Sequence, residues 1–145
     1  MASTVSNKIK YAIANGGINF SSDSFKIILM ASGFVFSPTT HHGYADVSAS
    51  ELATGFGYTR NTKTLSASPV ITEDDINVRC SIAWDNVTWT ASGGAIGPTP
   101  GAIIFDDTVT TPTADPIVAY IDFGGEQTQA DGGVATISNI SVRLT

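Results

Sequence analysis

The sequence predicts a mainly β fold: an antiparallel β-sandwich or small barrel that carries a short N-terminal helix. Three observations predict it. Charged residues occupy 14% of the 145 positions, against roughly 25% in an ordinary globular chain, whereas Ser and Thr together number 33 (15 plus 18) and Gly 14. Apolar and polar residues alternate with period two over several stretches beyond residue 24, the mark of a strand with one covered face. Gly- and Pro-bearing loops separate these stretches at near-regular intervals, as in sandwiches and barrels. A coiled coil would need heptads of Glu, Lys and Leu, and a disordered chain would not hold 42% apolar residues. There is no internal repeat and no linker, so the chain reads as one domain, with a helical segment at 1–17 and a β core at 18–145.

Residues 5–14 read as the helix. Val5, Ile9, Ala12 and Ile13 share a face, Ser3 or Thr4 can cap the start, and Asn15-Gly16-Gly17 ends it. About three turns do not persist alone in water, so this helix must pack on its own domain or on a neighbour. Residues 24–32 read as a strand with Phe25, Ile27, Leu29 and Ala31 on one face and Ile28 and Met30 on the other, both covered. Residues 33–47 form a long loop with Pro38 and the pair His41-His42. Ser48-Ala-Ser-Glu51 matches a capping box and predicts one helical turn, ended by Gly55.

Strands follow. Tyr58–Ala67 is Thr-rich and suits an edge. From 76 to 84 the residues Ile76, Val78, Cys80, Ile82 and Trp84 point one way; Val87, Trp89 and Ala91 then continue on odd numbers, so a bulge or tight turn falls at Asp85-Asn86. The Gly97–Gly101 run is a loop, 102–105 a short strand, 106–115 a solvent loop, and 116–123 a strand with Ile117, Ala119, Ile121 and Phe123 inward. Asp131-Gly132-Gly133 turns the chain into a last strand bearing Ile140, Val142 and Leu144, paired in a sheet. This makes about six strands.

Net charge is −6, from 7 basic and 13 acidic residues, too few cations for counterion-driven nucleic-acid binding. The charge is split: residues 1–64 sum to +2 (five basic, three acidic) and 65–145 to −8 (two basic, ten acidic), which predicts a weakly basic end and an acidic end. Cys80 is alone, so no intrachain disulfide is expected. No apolar run is long enough to span a membrane, and no secretory signal opens the chain, so synthesis in a cytoplasm is expected.

Chemistry-bearing constellations are sparse. His41-His42 has no Cys or His partner at zinc spacing. Glu73-Asp74-Asp75 and Asp106-Asp107 offer carboxylates for calcium, but without EF-hand spacing. Nucleophile-elbow and dinucleotide motifs are absent. No cofactor and no enzymatic activity are expected. Trp84 shares the stripe of Val78, Cys80 and Ile82 and reads as core, while Trp89, after the register shift, reads as the more exposed indole. Tyr44 and Phe56 lie in loops and read as exposed rings fit for an interface.

Several segments carry a family resemblance: Lys8–Met30 with its Asn19-Phe20 and Asp23 before a Lys-bearing strand, Tyr44-Ala45-Asp46-Val47, Gly55–Thr59, Ala83–Trp89, and Pro116–Gly125. In these the chain resembles small virion structural proteins of tailed bacteriophages, over most of its length. The resemblance implies a part of the phage particle: first a capsid decoration (cement) protein that binds and stabilises the major capsid protein lattice, and otherwise a tail- or fibre-associated component or a receptor- or glycan-binding module. It implies the major capsid protein and further copies of this chain as partners, a homo-oligomer, and the virion as location. Lattice contacts can each be weak because they repeat, and symmetric association is the common solution. The candidate interface residues are Val5, Ile9, Ile13, Phe34, Val35, Phe36, Tyr44 and Phe56. Deleting residues 1–15 is expected to weaken attachment while leaving a folded sheet.

Overall fold

The computed structural model describes residues 2–145 and is mainly β, 43% strand and 10% helix, with antiparallel sheets in a sandwich-like arrangement. The elements are β1 (Ala2–Val5), α1 (Asn7–Ala14), β2 (Phe25–Leu29), α2 (Tyr44–Val47) with a 3-10 turn at Ser48–Ser50, β3 (Val70–Asp74), β4 (Arg79–Ala83), β5 (Val87–Thr90), β6 (Ile96–Asp106), β7 (Ile117–Gln129), β8 (Val134–Ile137) and β9 (Ser141–Leu144). A four-stranded sheet has the order β1-β7-β6-β2, a three-stranded sheet β3-β4-β9, and β5 pairs with β8.

The four-stranded sheet is covered on both faces, which is why its strands are apolar at nearly every position. Phe25, Ile27, Leu29, Ala102, Ile104 and Val118 face the main core, where they meet Ile82, Trp84, Trp89, Ile137, Ile140 and Val142 from the smaller sheets. Ile28, Met30, Ile103, Phe105, Ile117 and Tyr120 face the other way, against Val47, Phe34, Phe36 and Tyr44 of the 34–47 loop. Each such aliphatic or aromatic side chain contributes about 1.5–3 kcal/mol on burial. The two-faced reading of β2 is therefore realised from Phe25 to Met30, whereas Ala31 lies beyond the strand and in neither core.

β6 and β7 form a long antiparallel pair whose register shifts between Ile96/Thr99, Thr99/Gly101 and Ile104/Phe105. Gly101 is required at the second shift: a Cβ there would collide with the Ile121 carbonyl and the Tyr120 ring. The expected loop at 97–101 is thus a kinked part of β6, because Thr99 and Gly101 still pair with β7.

Five further expectations are corrected. The helix starts later, at Asn7, because residues 2–5 pair with Ala119–Asp122 of β7. Its cap is Ser6, not Ser3 or Thr4: Ser6 Oγ accepts the Ile9 N–H at 3.1 Å and donates to the Ile117 carbonyl. Tyr58–Ala67 is not a strand but an extended loop touching β2 through Lys26–Thr64, since Tyr58 and Leu65 are pulled into the core. The alternation at 76–84 misleads: residues 75–78 are the turn between β3 and β4, Val78 has φ +50°, and Ile76 and Val78 are 92% and 82% exposed. Only Cys80, Ile82 and Trp84 follow the stripe inward. The break before β5 falls at 84–86 as expected, yet Trp89 is buried beneath it.

Candidate functional site

The loop from Ala31 to Ser37 builds a fixed apolar platform on the outer side of the four-stranded sheet. Gly33, in the left-handed region at φ +77°, turns the chain. Glu126 of β7 clips that turn, its Oε1 accepting Ser32 Oγ at 3.0 Å and the Gly33 N–H at 2.9 Å. Phe34 and Phe36 then fold inward on either side of Val35. The Phe34 ring lies 5.7 Å from Tyr120 and 5.5 Å from His41, and Phe36 lies 5.5 Å from Tyr120. These centroid distances suit offset and edge-on aromatic packing. His41 is itself held, its Nδ1 accepting the Ser37 N–H at 3.1 Å. Val35 is left 81% exposed at the rim of a groove of about 550 Å³ shared with Thr4, Pro100, Tyr120, Asp122 and Glu126. With Phe34, Phe36, Pro100 and Tyr120 lining the same groove, Val35 belongs to a contiguous apolar patch, the kind of surface that marks an interaction site.

Below the platform, Glu51 ties the next loop together. Its carboxylate accepts Tyr44 Oη at 2.7 Å, Tyr58 Oη at 2.8 Å, the Asn61 N–H at 2.8 Å and Arg60 Nε at 3.3 Å. The Tyr58 hydroxyl lies 3.0 Å from the Leu29 amide of β2. Burial and the adjacent Glu51 push the Tyr44 hydroxyl up to about 12 and the Tyr58 hydroxyl higher still. Both phenols therefore stay protonated and donate. Glu51 is not the box residue of a helix start. That role falls to Asp46, whose Oδ2 accepts the His42 and Gly43 N–H groups at 2.9 and 3.1 Å, so its carboxyl is held below the usual range.

The predicted interface residues thus separate. Phe34, Val35 and Phe36 come together as the platform. Tyr44 stacks on Phe105, centroids 5.0 Å apart, and serves the fold. Ile9 is fully buried in the core and Val5 is half-buried in β1 against it, so neither is a free contact. Ile13 is exposed beside Tyr11 on α1, and Phe56 is exposed elsewhere, at φ +54°.

Sequence reasoning missed two features. One is the exposed aliphatic β3–β4 hairpin. The other is Asp106, fully buried, whose Oδ1 accepts the Thr108 and Val109 N–H groups at 2.7 and 3.2 Å while Oδ2 has no partner. Burial first, then the facing Asp23 carboxyl, push Asp106 up to about 6. Among the described residues no three His, Cys, Asp or Glu side chains gather as metal ligands, and no helix is long and apolar enough to cross a membrane. No protein-family model matches the chain, and neither does any curated protein or solved structure.

Proposed function

We propose that this chain is a non-enzymatic structural protein of a tailed-bacteriophage virion, a decoration protein that is assembled in the host cytoplasm and binds the major capsid protein lattice. The sequence resemblance described above favours that setting. The single structural observation that carries a surface-fit role is the platform: Val35 stands in water while the rings beside it and the Glu126 clip beneath it hold its loop in place. Such a contact needs little ordering on docking, so modest apolar burial at each repeat becomes useful affinity.

The test is binding of the purified chain to phage heads that lack it. Saturable binding at many copies per head is expected. Val35→Asp should weaken it by about tenfold, the scale of a central apolar contact, with the unfolding midpoint unchanged because the side chain packs little in the free protein. A wild-type chain that ignores heads, or a Val35→Asp chain that binds them equally well, overturns the reading.

A glycan-binding module on a tail or fibre is favoured by a different feature. A recess of about 380 Å³ is lined by Trp89, Phe123, Gln127, Gln129 and Thr136 without a charged residue. Rings with amides and hydroxyls suit a neutral sugar. Saturable binding of the isolated chain to a glycan array or to host cells, with no affinity for heads, supports that reading over the first.

A further inference from the structure

We propose that the protein associates head to tail, the β3–β4 hairpin of one copy docking into a basic groove between β1 and β9 of a second copy. The inference rests on the structural-protein reading for its setting and adds the partner and the two surfaces.

The hairpin is an overhang. β3 pairs only with β4, and Val70, Ile71, Ile76 and Val78 are all exposed. A β-branched side chain at φ +50° is rare and strained, and here the strain holds Val78 in water beside Ile76. The turn is rigid: Asp74 accepts the Asn77 N–H at 3.1 Å, Asn77 Nδ2 at 2.8 Å and Arg79 Nε at 2.9 Å. That leaves Glu73 and Asp75 exposed and without an ion pair among the described residues. The hairpin therefore presents aliphatic side chains flanked by two free carboxylates, on an edge strand of the kind that natural sheets protect or pair.

The complement lies across the same sheet. A groove of about 480 Å³ runs between β1 and β9, lined by Ser3, Val5, Lys10, Ser141 and Arg143. Lys10 and Arg143 have no carboxylate partner among the described residues. Lys8 and Tyr11 of α1 line a separate recess against Thr111, Pro112 and Pro116, so Lys10 is the cation that this helix brings to the groove. The groove thus holds two cations without an ion pair among the described residues, beside Val5, where the hairpin is anionic and aliphatic. Charge complementarity of this kind selects the partner and its register.

The two surfaces cannot meet within one molecule. The hairpin's own strand β4 pairs directly with β9, which walls the groove, so the hairpin is fixed in that sheet and cannot fold into the groove beyond its far edge. Hairpin and groove can meet only between copies, and a contact between two different patches propagates into a ring or a chain. The occupant is a second copy because it alone is certain to bring the matching hairpin wherever the groove is present.

The test is sedimentation of the full chain and of two charge-reversed forms, Lys10→Glu with Arg143→Glu, and Glu73→Lys with Asp75→Lys. The wild type should form concentration-dependent oligomers at low salt and lose them at about 0.5 M salt, where exposed charges are screened beyond a few ångströms. Each reversed form alone should stay monomeric. An equimolar mixture of the two should associate again, since each then offers what the other lacks. Ile76→Asp, which leaves every groove residue in place, should also abolish association, so the result does not hang on the folding of the double variants. A monomeric wild type at low salt, or a mixture that stays monomeric while Ile76→Asp still associates, overturns the proposal. Head binding is read separately. A monomer that binds heads overturns only this inference, and an oligomer that ignores them overturns only the decoration reading.

Discussion

Asp106 shows how one buried carboxyl sets a pH dependence. In the unfolded chain an Asp titrates near 3.9; in the fold, burial and the Asp23 carboxyl raise it to about 6. The folded state therefore binds the extra proton between those values. The stabilisation is fully present below about pH 4 and is lost as pH rises through about 6, with a cost on the order of 3 kcal/mol above it. Asp115, raised by burial and by Asp107, adds in the same sense. Asp46, lowered first by the Gly43 N–H and then by that of His42, acts oppositely and only at lower pH. Asp106→Asn keeps an oxygen for the Thr108 and Val109 amides and places an NH₂ toward Asp23. The expected outcome is a gain of about 1–2 kcal/mol at pH 7 and a flatter stability curve from pH 4 to 6, measured by urea unfolding at several pH values. An unchanged slope would remove Asp106 as the cause.

At the scale of elements, the β3–β4 hairpin stores strain that can be released. Val78 is β-branched in the left-handed region, whereas Asn tolerates that region with little penalty. Val78→Asn should raise stability by about 1 kcal/mol, seen as a higher thermal midpoint, while weakening the association proposed above. This hairpin also marks where sequence legibility ended. β2 was readable because Phe25, Ile27 and Leu29 oppose Ile28 and Met30 and both sets are buried. The register break after Trp84 was readable because parity changes there. Ile76 and Val78 carried the same alternation, yet they sit in a turn, and period two cannot tell an inward stripe from an exposed one. β1 was missed because Ala2-Ser3-Thr4-Val5 has no pattern of its own; pairing with a strand more than a hundred residues away orders it. The platform was legible as an apolar triplet in a loop, but its Glu126 clip and Tyr120 floor lie too far along the chain to infer. Glu51 matched a local box motif and was claimed instead by the phenols of Tyr44 and Tyr58, seven residues away on either side, and by Asn61.

For the whole molecule, the N-terminal segment belongs to the fold. β1 extends the four-stranded sheet, Ser6 is tied to Ile117 and Val118, and Ile9 is fully buried. A chain lacking residues 2–15 should not retain a native sheet. Loss of the Ile9 side chain alone costs about 2–5 kcal/mol, a large share of the roughly 5–15 kcal/mol that holds a domain together. The expected result is rapid proteolysis and a broadened or absent unfolding transition, and a truncated chain with a sharp native-like transition would contradict it. Charge is also organised at this scale. The cationic groove residues come from both ends of the sequence, Lys10 and Arg143, while the anionic overhang comes from its middle.

The two buried indoles sit at opposite ends of β2. Trp84 lies 5.5 Å from Phe25, and Trp89 lies 5.9 Å from Tyr58, whose hydroxyl reaches Leu29. The molecule thus carries a separate fluorophore at each end of its central layer, both shielded from solvent quenchers. Replacing one Trp by Phe leaves an emission signal that reports the loosening of the remaining end, so fraying at the Glu51 end can be followed independently of fraying at the Asp106 end.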